Sequence, residues 1–258
     1  MNKDKFINSF NNADKIILSN IYDKIILANK IPKVIYCSEF YTPNIWKRLL
    51  EMRGSFNINT YCFGIFEESE RRMLAFSNDF YSELEYPLDL LKIKLKSSFT
   101  NIKHKDFLGA ILGLGIKREK LGDLILEGKT CYAAVSSDVS DYIIYNLQSI
   151  GSSPCLVQKV DMRESSIPCY DFEDKIIIMN SNRLDAFVSR LCNISRSKSV
   201  ELIKNGKVLI DYACTNKKDV ELRENFILTI RGYGKFKIDK QVGFTQKGKI
   251  KVLVKKFI

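Results

Sequence analysis

The sequence predicts an α+β protein made of three consecutive domains, and three observations lead to this prediction. Apolar runs with strand character alternate with amphipathic helical stretches over most of residues 1–160. A polar stretch without periodicity follows at 161–174, and two short helical patterns then lead into short strands and turns. The chain has 258 residues, 45% of them apolar, which is enough for two or three domains with cores of their own.

The N-terminal domain, residues 1–84, is predicted to be an α/β unit. A stripe of isoleucines gives residues 4–30 the spacing of an amphipathic helix, and a short strand follows over 34–40. The Thr-Pro pair at 42–43 has the residue types of a helix N-cap and a first helical position. Two apolar runs on either side of an acidic turn then predict a hairpin over 59–76.

The central domain, residues 85–160, has the order strand–helix–strand–strand–helix–strand, which is that of the ferredoxin-like plait. RNA-recognition domains share this RRM-like topology but stack bases on several aromatic residues of the central strands. The third predicted strand here offers one aromatic residue, Tyr132, so base stacking on the usual surface is not favoured and binding by another face stays open. Gly109 and Gly113 in the first helix indicate tight packing against a neighbour.

The C-terminal domain, residues 175–258, follows the linker at 161–174 and is predicted to be two helices on a small antiparallel sheet. Ser195 is a favourable N-cap for the second helix. The first helix is predicted from apolar residues with the spacing of one buried face: Leu184, Phe187, Val188 and Leu191.

Two basic residues, Arg196 and Lys198, lie in the first turn of the second predicted helix. Cations at this end of a helix oppose its dipole and cost about a few tenths of a kcal/mol. Together with the N–H groups of the helix N-terminus, they would form a site for an anion such as a phosphate. Two solvated charges on an ordinary helix are the alternative, and this stretch alone leaves both interpretations open.

The net charge of +11 is concentrated at the C-terminal end. Residues 176–258 contain 18 Lys and Arg against 7 Asp and Glu, whereas the preceding 175 residues contain 23 of each. A basic module attached to a neutral body is typical of a protein that binds a polyanion. A membrane surface would require a basic amphipathic helix, and most of these basic residues lie on predicted strands and turns, so nucleic acid is favoured.

Several other classes are not supported by the composition. No apolar run reaches the length of a membrane span, and the polar N-terminal stretch lacks the apolar region of a signal peptide. The seven cysteines are odd in number and contain no CxxC pair, which favours reduced thiols in a cytoplasmic protein over disulfides or zinc. We therefore expect neither a metal nor a cofactor.

Two groups of motifs resemble known families. Residues 183–185 (RLD), 195–199 (SRSKS), 202–208 (LIKNGKV) and 231–236 (RGYGKF) resemble the S4 RNA-binding domain in type and order. Residues 104–123, which include HKDFLGA and LGLGIKREKLGD, look like the signature of the YlmH-type S4 proteins, and this extends the resemblance over nearly the whole chain.

The resemblance implies a non-enzymatic, cytoplasmic, ribosome-associated RNA-binding protein. Its implied partners are rRNA or tRNA on the large ribosomal subunit, in the quality control of stalled subunits that carry peptidyl-tRNA, and we expect it to act as a monomer without a membrane. A link to cell division is implied as well. Asp211 departs from the family, whose members often carry Asn there, and a carboxylate at this position would repel a phosphate.

The resemblance also implies that basic residues of the C-terminal domain contact phosphates, with two serines adding hydrogen bonds near the helix start. A solvated surface charge is the alternative for each lysine and arginine. We expect Asp185 to be a local cap or an arginine partner rather than a catalyst. The candidate RNA-binding residues are Arg183, Ser195, Arg196, Lys198, Ser199, Lys204, Lys207, Arg231, Lys235 and Lys237.

Two further functions stay open at this point. Some pseudouridine synthases combine an S4 domain with a catalytic Arg-Leu-Asp, but the sequence at 183–185 lies inside the S4-like helix and no second copy with a flanking glycine loop occurs. His104, the one histidine, lies in a stretch that predicts helix packing rather than catalysis. The remaining alternative is a scaffold for cell-division proteins, in which the basic module would serve a membrane or a protein.

Overall fold

The computed structural model describes residues 1–10, 13–81, 85–96, 102–162 and 166–258. Their contacts divide the chain into a larger unit, Met1–Phe10 with Asp14–Cys169, and a C-terminal unit that contains Tyr170–Ile258. The division therefore falls within the predicted linker, and both predicted N-terminal domains lie in one unit. The predicted boundary at residue 84 lies outside the described residues, and the finer division into domains stays a prediction.

The larger unit is α+β, as expected, with two antiparallel sheets of strand order β1-β3-β2 and β5-β6-β4-β8-β7. Short 3-10 turns lie at Arg53–Ser55 and Arg118–Lys120. Its described helices are α1 (Lys3–Asn8), α2 (Lys15–Lys30), α3 (Pro43–Glu51), α4 (His104–Gly113) and α5 (Ser137–Asn146). Its strands are β1 (Ile35–Tyr41), β2 (Asn59–Phe63), β3 (Arg72–Ser77), β4 (Leu88–Leu95), β5 (Leu121–Glu127), β6 (Thr130–Ser136), β7 (Ser149–Ile150) and β8 (Ser153–Val160).

The single helix predicted over residues 4–30 is wrong, because the structure forms α1 and α2 separately. The carboxylate of Asp14 accepts hydrogen bonds from the backbone N–H groups of Ile16, at 2.7 Å, and of Ile17, at 3.4 Å. The first backbone N–H groups of a helix have no partner within the helix, and the Asp14 carboxylate accepts from two of them. The helix α2 therefore begins after Asp14.

The five-stranded sheet carries α4 and α5 on one face. Their buried residues Phe107, Ile111 and Ile143 share a core with alternate sheet residues such as Leu91 and Ile93. Gly109 and Gly113 lie on the other side of α4, where an added Cβ would meet nothing within 4 Å. The expectation that these glycines pack tightly is therefore wrong, because the apolar stripe of α4 turns them away from the core.

Part of the opposite sheet face is covered by the three-stranded sheet. An added Cβ at Gly122 would lie 2.8 Å from a ring atom of Phe40 and 3.0 Å from Ala134, so the close approach requires glycine. The buried carboxylate of Asp123 accepts hydrogen bonds from the backbone N–H groups of Glu70, at 2.5 Å, and of Arg71, at 3.2 Å. These contacts join the two sheets into one unit.

The C-terminal unit is two helices on a six-stranded antiparallel sheet of order β11-β10-β12-β13-β14-β9. Its helices are α6 (Leu184–Cys192) and α7 (Arg196–Lys204). Its strands are β9 (Phe172–Met179), β10 (Val208–Ile210), β11 (Ala213–Cys214), β12 (Phe226–Ile230), β13 (Gly234–Phe244) and β14 (Ile250–Phe257).

Two predicted boundaries in this unit change. β9 begins at Phe172, inside the predicted linker, because Phe172 pairs with Phe257 of β14. The strands predicted separately at 235–238 and 242–245 form one long strand, β13, which continues through two register irregularities opposite β14. The β13–β14 hairpin therefore extends farther than the sequence predicts.

The core of the C-terminal unit lies between the helices and one sheet face. Leu184, Phe187 and Val188 of α6 are buried there, as their spacing predicts, together with Ile203 of α7. The sheet contributes alternate residues to this core, such as Phe236 and Ile238 of β13. The residues between them form the other sheet face, called here the lysine–aromatic face: Phe172, Asp174, Ile176, Ile178, Ile227, Thr229, Lys235, Lys237, Lys251, Leu253, Lys255 and Phe257.

The cysteines of the chain are free thiols, and Cys37, Cys131 and Cys155 are buried. Burial raises the pKa of the Cys37 thiol to about 11, which keeps it protonated at neutral pH. Among the described residues, no group of three His, Cys, Asp or Glu side chains is arranged to hold a metal ion. No helix in these residue ranges is long and apolar enough to cross a membrane.

Candidate nucleic-acid interface

The start of α7 is built as the sequence predicts. Ser195 has an extended backbone conformation and caps the helix, since its hydroxyl accepts a hydrogen bond from the backbone N–H of Lys198 at 3.3 Å. The first turn contains Arg196 and Lys198, both exposed, and no acidic residue. The positive end of the helix dipole and two basic side chains therefore lie together at the surface.

Asp185 connects this helix start to α6. Its carboxylate accepts a hydrogen bond from Arg183 Nε at 3.2 Å and one from Arg196 Nη2 at 2.7 Å. Burial favours a raised pKa for Asp185, but the hydrogen bonds from the two arginines outweigh it and hold the pKa below its ordinary value. The expectation that Asp185 is an arginine partner is confirmed, and both guanidinium groups are held in fixed directions.

A groove of about 750 Å³ opens beside this cluster, within the C-terminal unit. One wall is α6 with the start of α7, the other is the tip of the β13–β14 hairpin, and the end of β9 lies between them. None of its lining residues, all in the described part of the chain, carries a carboxylate. Its basic residues are Arg190, Arg196, Lys247, Lys249 and Lys251.

Most of the predicted contact residues are exposed, but only one of them lines the groove. Arg196 lies in it, whereas Arg183, half-buried, points its guanidinium at Asp185. The remaining exposed basic candidates are Lys198 and Lys204 on α7, Lys207 before β10, and Arg231 after β12.

Ser199 is a correction to the predicted set. The residue is fully buried, and its hydroxyl donates to the backbone carbonyl oxygens of Asp185, at 2.9 Å, and of Arg196, at 2.7 Å. Ser199 lies four residues before Ile203 and therefore shares its buried helix face. The hydroxyl ties α7 to α6 and is not presented to a ligand.

The last two predicted contacts lie on the lysine–aromatic face. Lys237 is 8% exposed, and its Nζ lies 3.9 Å from a carboxylate oxygen of Asp239, so it is also a correction to the predicted exposed contacts. Lys235 donates a hydrogen bond to the hydroxyl of Tyr212 at 3.1 Å, and its Nζ lies 4.8 Å from the ring centre of Phe257. Lys235 is thus half-buried beside aromatic rings.

Sequence reasoning missed four of the five basic groove residues, namely Arg190, Lys247, Lys249 and Lys251. A signal for the three lysines was present. They alternate through the sequence at 245–251 (TQKGKIK), and Gly248 at φ +72° forms the turn between Thr245 and Lys249. A hairpin turn with lysines on both sides indicates a basic loop. Because the sequence predicts separate strands at 235–238 and 242–245, the long β13–β14 hairpin was not recognised.

Asp211 does not face a ligand. It is buried with φ +48° in the turn between β10 and β11, where Asp tolerates the left-handed conformation better than most residues. Its carboxylate accepts from the backbone N–H of Ile227 at 2.9 Å, and its own N–H donates to the Ile227 carbonyl oxygen at 2.8 Å. The carboxylate closes a turn, so the expected repulsion of a phosphate is not supported by its position.

The larger unit offers a smaller polar surface on the part of the five-stranded sheet that faces away from α4 and α5. Lys92 Nζ lies 5.5 Å from the ring centre of Tyr132, and Lys94 is exposed beside it. Tyr132 is the single aromatic residue on β6, as the sequence shows. At the start of α4, the carboxylate of Asp106 accepts from the backbone N–H of Lys103 at 2.8 Å and caps the helix.

Parts of the chain are similar to known proteins. Residues 82–164 match the family model described as a putative RNA-binding domain in YlmH. The chain is 27% identical over 217 residues to the ribosome-associated protein quality control protein P2 of Bacillus subtilis (strain 168), which covers 83% of this chain and 84% of that protein.

A solved structure shares the fold. The cell division protein ylmH from Streptococcus pneumoniae superposes with a TM-score of 0.52 and 18% identity, over 60% of this chain and 95% of that one. The solved structure shows a shared fold, and the family model together with the curated relative confirms the resemblance of this chain to the YlmH-type proteins.

Proposed function

We propose that this chain is a cytoplasmic RNA-binding protein that acts on the ribosome and holds RNA phosphates in the basic groove of its C-terminal unit. The observation that carries the proposal is the groove itself, because Arg190, Arg196, Lys247, Lys249 and Lys251 line it without a carboxylate. Clustered cations facing one groove are the electrostatic footprint of a polyanion. The match of residues 82–164 to a putative RNA-binding domain supports RNA as that polyanion.

We further infer that the C-terminal unit is an S4 domain and that the central part is an RRM-like plait. Support for the first is the pair of helices on an antiparallel sheet, with the RLD, SRSKS and LIKNGKV motifs at α6 and α7. Support for the second is the strand order β5-β6-β4-β8, with α4 and α5 on one face. In this arrangement both the groove and residues 82–164 would contact RNA.

The groove suits a backbone rather than a base sequence. Lysines at a hairpin tip reach phosphates as point charges, and Arg196 presents a planar guanidinium held by Asp185. Contacts of this kind fix the position of the protein and carry little sequence information. The shape of a folded RNA would then determine where the protein binds.

The partners that fit are rRNA or tRNA on the large ribosomal subunit. The name of the Bacillus relative supports a role in ribosome-associated quality control, and we propose that this chain acts on stalled subunits that carry peptidyl-tRNA. We propose that the protein acts there as a monomer and without catalysis. In support of a non-catalytic role, both carboxylate oxygens of Asp185 accept hydrogen bonds from arginines.

Co-sedimentation with purified large subunits tests the proposal. We expect the wild-type chain to co-sediment at low salt and to be released as salt rises, because neutralised phosphates recover their counterions. Lys249→Glu, in the groove, should weaken binding by about tenfold or more, roughly 1.4 kcal/mol. Lys217→Glu is the matched control, since Lys217 is exposed in the same unit but does not line the groove.

Absence of co-sedimentation by a folded wild-type chain would contradict the proposal. Equal loss in the groove variant and the control would show that net charge, and not the groove, determines binding. A change in the rRNA modification profile on deletion of the protein would instead favour an RNA-modifying enzyme.

A further inference from the structure

The lysine–aromatic face carries a row of side chains that lie outside the basic groove. Strand register aligns Ile227 with Lys237, Lys237 with Lys255, and Lys255 with Asp174, so these side chains cross four strands on one face. The core-facing residues between them, such as Val254 and Ile238, pack under α6 and α7. The helices therefore lie on the other side of the sheet from this row.

Three aromatic rings meet at one end of this face. Phe172 and Phe257 are a direct cross-strand pair with ring centres 4.9 Å apart, and Tyr170 lies 5.9 Å from Phe172 and 5.6 Å from Phe257. All three residues are half-buried, so part of each is accessible. A cluster of partly exposed rings offers a platform on which flat groups can stack.

Lysines border these rings. Lys235 Nζ lies 4.8 Å from the ring centre of Phe257, and Lys255 Nζ lies 5.6 Å from that of Phe172. Two carboxylates offset part of this positive charge. Asp174 is paired with Lys255 across the strands, and an Asp239 carboxylate oxygen lies 3.9 Å from Lys255 Nζ. Lys251 is a third partly exposed lysine on this face, whereas Lys237 is buried beside Asp239. The accessible lysines therefore outnumber the two acids by three to two, and the face is basic as well as aromatic.

The lysine–aromatic face is continuous with the basic groove. Ile178 and Lys251 belong to both, and they are paired across β9 and β14. From Ile178 the face runs along β9 to Phe172, over about 20 Å at the rise of a strand, which spans a few nucleotides. Ile176 and Ile178, on this path, are 60% and 41% exposed, so an apolar surface lies between the groove and the rings.

We propose that the lysine–aromatic face binds a short single-stranded segment of RNA, whose bases stack on Phe172 and Phe257 and lie over Ile176. This inference rests on the proposed function, because it assigns part of the same RNA to a second surface. Proteins that bind single strands combine aromatic platforms with basic grooves that follow the backbone, and both are present here side by side. Tyr132 on β6 does not offer a comparable cluster of rings.

The lysines over the rings do not block such binding. A lysine over a partly exposed ring is held weakly, whereas a stacked base contributes more. When a base takes its place, the ammonium group can move to the phosphate of the same nucleotide on its flexible stem. The face therefore exchanges a cation–ring contact for a stacked base and an ion pair.

Fluorescence anisotropy with two RNAs tests the inference, one a short oligouridylate and the other a self-complementary duplex. We expect the double variant Phe172→Leu, Phe257→Leu to weaken oligouridylate binding by about tenfold or more, and to leave duplex binding within about twofold. Phe172→Tyr keeps the ring and should bind like the wild type. Lys249→Glu should weaken binding of both RNAs, because the groove serves both.

A second variant keeps the test independent of folding. Ile176→Glu places a carboxylate at a 60% exposed position and removes nothing from the core, and it should weaken oligouridylate binding selectively. Unchanged oligouridylate binding by both variants overturns the inference while the groove proposal stands. Unchanged oligouridylate binding combined with weaker binding to intact large subunits would indicate that the face contacts a ribosomal protein instead of RNA. Failure of the wild type to bind either RNA would remove the proposed function itself.

Discussion

The carboxylate of Asp185 on α6 accepts a hydrogen bond from the Arg196 guanidinium on α7 at 2.7 Å. The same carboxylate holds Arg183, and the Asp185 carbonyl oxygen accepts from Ser199. One buried residue thus joins the two helices and directs an arginine into the basic groove. Asp185 thus organises the two helices of the basic module, although most charged residues near it in the sequence are cations.

Replacing Asp185 with Asn should destabilise the C-terminal unit at neutral pH by about 1 to 2 kcal/mol, since hydrogen bonds to a charged acceptor are lost while both arginines remain partly solvated. The pKa of Asp185 is held below its ordinary value of 3.8, so its stabilisation is complete above that value and is lost as the pH falls through the lower, folded pKa. Denaturant unfolding of both chains from pH 7 to pH 2 measures this. A stability difference independent of pH would contradict the role of the charge.

Ser199→Ala should lower the free energy of unfolding by about 1 kcal/mol and leave RNA affinity unchanged, because the hydroxyl is buried in hydrogen bonds to Asp185 and Arg196. Denaturant unfolding and anisotropy with a folded RNA separate the two effects. Weaker RNA binding without loss of stability would restore Ser199 as a contact.

Gly109→Ala and Gly113→Ala should each stabilise α4 by about 0.5 to 1 kcal/mol, since an added Cβ meets nothing at either position. The change in thermal unfolding of the full chain measures this. Destabilisation would instead indicate the close helix packing that the sequence alone predicts.

Replacing Lys247, Lys249 and Lys251 with Ala should reduce the dependence of RNA affinity on salt. Each lysine that neutralises a phosphate contributes a little under one unit to the slope of log K against log salt concentration. A matched triple variant of exposed lysines that neither line the groove nor belong to the predicted contacts, Lys217, Lys218 and Lys240, provides the control. A parallel loss of slope in both variants would contradict the assignment of the groove.

Local patterns in the sequence predicted the parts of the C-terminal unit that depend on local rules. The spacing of Leu184, Phe187 and Val188 predicts the buried face of α6, and Ser195 predicts the start of α7, because each signal lies within one helix. The resemblance to YlmH-type proteins likewise rests on contiguous motifs. The two helices of the C-terminal unit and their order therefore followed from the sequence.

The groove could not be predicted in the same way, because it forms where distant residues meet. Arg190 on α6 and Lys247 at the hairpin tip are 57 residues apart in the sequence, and only the folded sheet brings them to one site. Lys237 was predicted to be an exposed contact because it is charged, but its position on β13 places it beside Asp239 and away from solvent. Charge composition located the basic module, but tertiary contacts determine which of its cations face a ligand.

A cryo-EM reconstruction of the chain bound to the large ribosomal subunit would show whether RNA occupies the basic groove. We expect an RNA backbone in the groove, with phosphate oxygens within hydrogen-bonding distance of Arg196 and of at least two of Lys247, Lys249 and Lys251. RNA contacts confined to residues 82–164, with the groove open to solvent, would contradict this expectation.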